Sequence, residues 1–167
     1  MHCWMLSFAH VCNLTIRNTV LDILDLSQEA VGPIQVATLH LSNAFDSAEA
    51  ANWIMECLEN ASTTSLTMTD CHLDCDVLGF LHTATYSGSA LKILNLTSAS
   101  IGDTGCCFLD KIVRRTDLTA LSLSNNGITD HGAASLADAL SANTTIRHLD
   151  LGHNLIRRAG AAGLLKC

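Results

Sequence analysis

One short phrase returns along this chain at a nearly fixed interval, and that period constrains the fold more than any other feature. Leu118-Thr-Ala-Leu121-Ser-Leu123-Ser-Asn-Asn126-Gly-Ile128 recurs as Ile146-Arg-His-Leu149-Asp-Leu151-Gly-His-Asn154-Leu-Ile156. Each copy is followed by a Gly and, four residues on, a Leu: Gly132 and Leu136, then Gly160 and Leu164. Looser copies precede them. Leu91-Lys-Ile-Leu94-Asn-Leu96-Thr-Ser-Ala99-Ser-Ile101 is a third, and Thr63-Thr-Ser-Leu66-Thr-Met68-Thr-Asp-Cys71-His-Leu73 a fourth. Val36-Ala-Thr-Leu39-His-Leu41-Ser-Asn-Ala44, with Ile54 and Leu58, is a fifth. The starts at 36, 63, 91, 118 and 146 lie alternately 27 and 28 residues apart. Residues 1–35 form a divergent lead-in, where Leu14 and Ile16 could make a strand pair only at a shortened spacing of 25.

Each unit has one physical reading. In Leu121-Ser-Leu123 the period is two, so the leucines of a short strand point inward and the serines outward. Asn126 turns the chain, and its amide can bond the backbone of adjacent turns. Asp130 to Leu140 reads as a helix, with Asp130 as the expected N-cap and Leu136 and Leu140 on one face. The expected structural ladder is Cys71, Asn126 and Asn154; Ala44 and Ala99 hold the same position but cannot bond there. Val77 and Ala50 stand where later copies have Gly.

The pattern L-x-x-L-x-L-x-x-N/C-x-L, followed by G-x-x-x-L-x-x-x-L, resembles the leucine-rich repeat, and its length resembles the ribonuclease-inhibitor subclass. Pattern and resemblance together imply an α/β fold: a right-handed solenoid, or horseshoe, with a parallel sheet on the concave face and helices on the convex face. About five repeats are expected over 36–167, the last incomplete, which makes a fragment of a longer protein the expectation, since solenoid ends need capping. The long phrase from Leu121 to Thr145 and the phrase Leu149-Asp-Leu-Gly-His-Asn154 are similar to the repeats of NLR-type innate immune receptors. That resemblance implies a ligand-sensing region beside a NACHT domain. Ribonuclease inhibitor and the Ran GTPase-activating protein share the repeat type, which keeps open a regulator of an enzyme or a small GTPase.

Composition supports a packed repetitive interior. Leu occurs 26 times while aromatics make up 4% of 167 residues, so one aliphatic shape fills the core. The net charge of −7 argues against nucleic-acid binding, which needs Lys and Arg to neutralise phosphates. Charge is also uneven, with ten acids and no base over 18–91, then six acids against eight bases from Lys92 onward. The eight Cys show no framework spacing, and the apolar start lacks a basic segment and a cleavage site. Reduced thiols, a cytoplasmic location and no membrane insertion are expected.

No nucleophile elbow, P-loop, zincin motif or C-x-x-C pair occurs, so no enzyme, catalytic residue, cofactor or metal is expected. Cys71-His72-x-x-Cys75 is read as core and corner, and Cys106-Cys107 as one inward and one outward thiol. The acceptor-like triplets at Asn13, Asn60, Asn95 and Asn143 are read as unglycosylated, two of them recurring with the repeat. The expected functional surface is the concave sheet face, with candidate residues Thr38, His40, Thr67, Asn95, Ser122, Ser124, His148 and Asp150 and a protein as partner. His148 and Asp150 lie two apart on this face and could form a polar contact point with His153, but simple solvation is the expected reading. By strand parity this face carries no Trp, Tyr or Arg, the side chains that usually anchor interfaces.

Overall fold

The computed structural model describes residues 11–17, 36–42, 63–73, 75–86 and 89–167. Ala44, Ala50, Ile54 and Leu58 lie outside them. Strands β1 (Val11–Arg17), β2 (Val36–Ser42), β3 (Ser65–Thr69), β4 (Ile93–Asn95), β5 (Ala120–Ser122) and β6 (His148–Asp150) form one sheet in chain order. Every pairing is parallel, so each connection must return the chain to the same end of the sheet. From β3 onward helices do this: α1 (Cys75–Tyr86), α2 (Gly102–Arg115), α3 (Asp130–Ala142) and α4 (Arg158–Leu164). The architecture is an α/β solenoid. Strands sit about 4.8 Å apart and helices about 8–10 Å, so such a stack bends with the sheet inside.

Register follows the sequence period. Leu39 pairs with Leu66, Leu66 with Leu94, Leu94 with Leu121 and Leu121 with Leu149. The lead-in joins the same sheet: Leu14 pairs with Leu39 and Ile16 with Leu41. The step of 25 residues therefore makes a full strand, which the longer spacing elsewhere gave little reason to expect.

Inward leucines build a continuous core. Leu39, Leu66, Leu94 and Leu121 are buried on successive strands, and Leu41, Met68, Leu96 and Leu123 fill the next layer. From the other side α2 contributes Cys106, Leu109, Ile112 and Val113, whose spacing places them on one helical face. The α3 counterparts include Ala133, Leu136, Ala137 and Ala139. Burying one such leucine contributes roughly 1.5–3 kcal/mol.

After each strand from β3 to β6 the chain passes through a left-handed residue: Asp70, Ser98, Asn125 and His153, all with φ near 55°. None is glycine, and Asp, Asn and His are the non-glycine residues that tolerate this region best. The following position carries the ladder. Asn126 Oδ1 accepts from the N–H of Ala99 (2.9 Å) and Ile101 (3.2 Å), and its Nδ2 donates to the carbonyls of Leu96 (2.7 Å) and Ser124 (3.1 Å). Asn154 repeats this one unit later, accepting from Asn126 and Ile128 and donating to Leu123 and Leu151. Cys71 occupies the same place and donates to the carbonyls of Leu41 (3.8 Å) and Thr69 (3.3 Å), the same two positions at longer reach and with a weaker donor.

Asp130 does not cap its own helix. The α3 N-cap is Thr129, whose hydroxyl accepts from the His131 N–H. Asp130 Oδ1 reaches the next repeat instead and accepts from the N–H of Arg157 (2.7 Å) and Gly160 (2.9 Å), at the start of α4. Asp103 does the same one unit earlier. Its Oδ1 accepts from the N–H of Thr129 (2.8 Å) and Gly132 (3.0 Å), and its Oδ2 from the Thr129 hydroxyl (2.6 Å). Each carboxylate thus meets the unpaired donors and positive end of the neighbouring helix. Here lies the need for glycine: a Cβ on Gly132 would sit 2.5 Å from Asp103 Oδ1, and one on Gly160 would sit 2.6 Å from Asp130 Oδ1.

Candidate functional site

Strand pairing carries the outward side chains into rows. Five of the candidate residues fall in one row across five strands: His40 on β2, Thr67 on β3, Asn95 on β4, Ser122 on β5 and Asp150 on β6. Four strand steps make this row about 19 Å long. Beside it runs a second row containing Thr38, Ser65, Ile93, Ala120 and His148. Ser124 belongs to neither. It is buried, and its hydroxyl donates to the Gly152 carbonyl at 3.0 Å, so it ties two turns together and is not free to meet a partner.

Over β4, β5 and β6 the two rows enclose a shallow depression of about 430 Å³. Its floor is Ala120, which is small and sits between the larger Ile93 and His148 in the same row. Ile93 is 43% exposed, an apolar wall where most outward neighbours are polar. On the other row polar side chains of three strands lie within hydrogen-bond distance of one another. The Thr97 hydroxyl donates to Asn95 Oδ1 at 2.7 Å and the Ser122 hydroxyl to Asp150 Oδ2 at 3.3 Å, with the two hydroxyl oxygens 3.1 Å apart. Asp150 Oδ1 accepts from the Gly152 N–H at 2.9 Å. The carboxylate takes Ser122 and Gly152 as partners, while Asp150, His148 and His153 are all solvent-exposed. A charge fixed before a partner arrives loses little freedom on binding.

Ile93 and Ala120 are outward positions of the expected face by strand parity, but the notch they form depends on which strands are neighbours and in what register. One lining residue escaped the reading of the sequence. Arg147 also lines the depression, so the face does carry an arginine. Its inward parity concealed it, because alternation holds within a strand and Arg147 lies just before β6.

The helical side is occupied differently. Lys111 Nζ lies 5.4 Å from the Phe108 ring centre, and Arg114 pairs with Asp110 at 2.9 Å one turn away. Burial, then the charges of Lys111 and Arg115, hold the His82 imidazole below its usual value. The Asn143 amide donates to the Val113 carbonyl at 2.7 Å and its oxygen accepts from Thr145 and Ile146, so this residue fastens the α3 end to the α2 end. Cys106 is buried and Cys107 exposed. Burial, with smaller contributions from the Asp103 charge and Cys107, pushes the Cys106 thiol up to about 12. Cys71 is buried while His72 and Cys75 are exposed, and among the described residues no group of three metal-ligating side chains comes together. No helix of the described residues is long and apolar enough to cross a membrane.

Comparison with known proteins agrees with this geometry. The Leucine Rich repeat family matches residues 90–106, 116–137 and 142–165. Ribonuclease inhibitor of Mus musculus is 37% identical over 106 residues, covering 62% of this chain and 22% of the relative. NACHT, LRR and PYD domains-containing protein 13 of Homo sapiens is 36% identical over 92 residues, covering 54% of this chain and 9% of the relative. The chain thus spans less than a quarter of the length of either relative. With its stacked strand–turn–helix units, asparagine ladder and parallel sheet, this chain is a leucine-rich repeat protein of the ribonuclease-inhibitor-like type, its repeats resembling those of NLR proteins.

Proposed function

We propose that the sheet face over β4, β5 and β6 is where this protein-interaction module holds a protein partner, and that it acts by binding and not by catalysis. The observation that carries the reading is the depression between Ile93 and His148, with the Asp150 carboxylate already fixed beside it. An apolar wall, a small floor and prearranged polar groups are the ingredients of a side-chain pocket at an interface. The site residues proposed for contact are Asn95, Ser122, His148 and Asp150, joined by Ile93 and Arg147, with Thr38, His40 and Thr67 extending the face toward the acidic half of the chain.

Within that reading, the similarity to a NACHT, LRR and PYD protein favours the ligand-sensing repeat region of an NLR-like receptor, working in the cytoplasm. The similarity to ribonuclease inhibitor supports the second reading, a regulator that binds an enzyme or a small GTPase. Finding a P-loop coding segment upstream of Met1 favours the receptor, and its absence over several hundred codons removes that reading. The binding face is tested by pull-down from cytosolic extract. His148→Ala with Asp150→Ala is expected to lose a partner that Ala134→Lys, on the exposed side of α3, retains. Unchanged capture by the face variant, or loss only with the helix variant, refutes the assignment.

A further inference from the structure

Asn126 carries a second chemistry beside its hydrogen bonds. Gly127 follows it, and this is the one Asn-Gly step in the chain. Asparagine is thermally labile because the backbone nitrogen of the next residue can attack its carboxamide carbon. A side chain on that next residue shields the nitrogen, and glycine has none. Gly127 is exposed, and even an added Cβ would meet nothing within 4 Å. Among the described residues its N–H donates to no acceptor. The other ladder asparagine, Asn154, is followed by Leu155, and the exposed Asn125 by Asn126, whose side chains crowd the same attack.

The nucleophile is open, but the electrophile is locked away. Asn126 is 4% exposed and its amide reaches into the preceding turn. There Oδ1 is held by the N–H groups of Ala99 and Ile101, and Nδ2 by the carbonyls of Leu96 and Ser124. Attack needs Cγ to swing toward the Gly127 nitrogen and its planar amide to become tetrahedral. Both movements pull Oδ1 and Nδ2 out of line, so the bonds that join the turns also hold the reactive group shut.

We propose that Asn126–Gly127 is a deamidation site gated by the fold, closed by the ladder and opened whenever the turn after β5 lets go. The Gly127 nitrogen gives up its proton and bonds to Asn126 Cγ. The Cγ–Nδ2 bond breaks and ammonia leaves, closing a succinimide ring. Water then opens either carbonyl of the ring, giving aspartate or isoaspartate at position 126. An aspartate oxygen can still accept from Ala99 and Ile101. Where Nδ2 donated, however, a second oxygen now faces the carbonyls of Leu96 and Ser124, acceptor against acceptor in a buried place. Isoaspartate also lengthens the backbone by a methylene. The turn cannot reclose as before, so each opening that reacts is recorded permanently in the chain.

The test follows residue 126 of the full chain by peptide mass spectrometry during incubation at mildly alkaline pH. Reaction tracks the population of the open turn. Opening strands two buried donors, so the native chain is expected to react on the order of a hundredfold more slowly than the chain unfolded in guanidinium chloride. Asn154→Ala removes the acceptor of the Asn126 and Ile128 N–H groups without touching the reacting atoms. It is expected to raise the native rate about fivefold and to leave the unfolded rate unchanged. In the parent chain, guanidinium below the unfolding midpoint reads the same gate with no substitution, and the rate is expected to climb with its concentration. The deamidated chain, purified by ion exchange, is expected to melt below the parent. Equal rates in the native and unfolded chains, a rate that stays flat up to the midpoint, or Asn154→Ala reacting no faster than the parent overturns the proposal.

Discussion

Replacing Asn126 with alanine removes the most connected side chain of the ladder, and its cost can be worked from the bonds it makes. Four hydrogen bonds go. The Ser124 carbonyl still accepts from the Ser98 N–H, so its loss is minor, and the Leu96 carbonyl loses its 2.7 Å donor, a smaller penalty than a stranded N–H. The N–H groups of Ala99 and Ile101 lose their acceptor at a position where Asn126 is only 4% exposed, so water has little access. At about 1–2 kcal/mol for each buried donor left unpaired, the expected destabilisation is about 3 kcal/mol. For a chain of this size that lowers the melting temperature by roughly 6–12 °C. Asn154→Ala is the internal control. Asn154 makes an equivalent set of bonds but is only half-buried, so water replaces part of them and the expected cost is about 1 kcal/mol. Thermal and urea unfolding followed by circular dichroism would rank the two. An unchanged transition in Asn126→Ala, or a larger loss in Asn154→Ala, would refute the reasoning that burial of the ladder sets its value.

The remaining predictions concern the carboxylate clamp and the thiols. Gly132→Ala is expected to destabilise by about 2–3 kcal/mol in urea melts, since its Cβ would displace the Asp103 carboxylate. Gly79→Ala, whose Cβ would meet only Phe108 at 3.8 Å, is expected to be neutral or to stabilise by about 0.5–1 kcal/mol. Asp103 is pushed up by burial, but the Thr129 hydroxyl and the Thr129 and Gly132 N–H groups outweigh this and hold its carboxyl below the usual carboxylate range. A lowered folded-state value means that the carboxylate stabilises above the unfolded value near 3.8 and that this is lost as pH falls through the folded value. The urea midpoint of Asp103→Asn should therefore lie below that of the parent at pH 7, with the gap closing below about pH 4; a constant gap would contradict the clamp. Iodoacetamide labelling with peptide mass spectrometry should modify Cys75, Cys107 and Cys167 in the native protein and spare Cys71 and Cys106.

The period, the strand positions and the asparagine ladder could be read from the residues because each depends on a pattern internal to one unit. Leu121 and Leu123 alternate with serines, and Asn126 follows at a fixed distance. What escaped depends on contacts between units. Asp130 stands where an N-cap residue stands, and only the packing of α4 against α3 shows that its carboxylate serves the next helix. Gly132 and Gly160 recur visibly, yet their reason is an oxygen from a residue 29 or 30 positions earlier. The site divides in the same way. Asn95, Ser122 and Asp150 follow from parity, while the notch over Ala120 needs the register of three strands, and Arg147 lies where parity no longer holds.

The central claim is that the sheet face, and not the helical face, meets a protein partner. Site-specific photo-crosslinking tests it most directly, with a benzophenone side chain placed at Ser122 in one protein and at Ala134 in another, each irradiated in cytosolic extract. The account predicts a discrete protein adduct from position 122 that is lost when Ile93→Lys is added, with none from position 134. An adduct from position 134 with none from position 122 would contradict it.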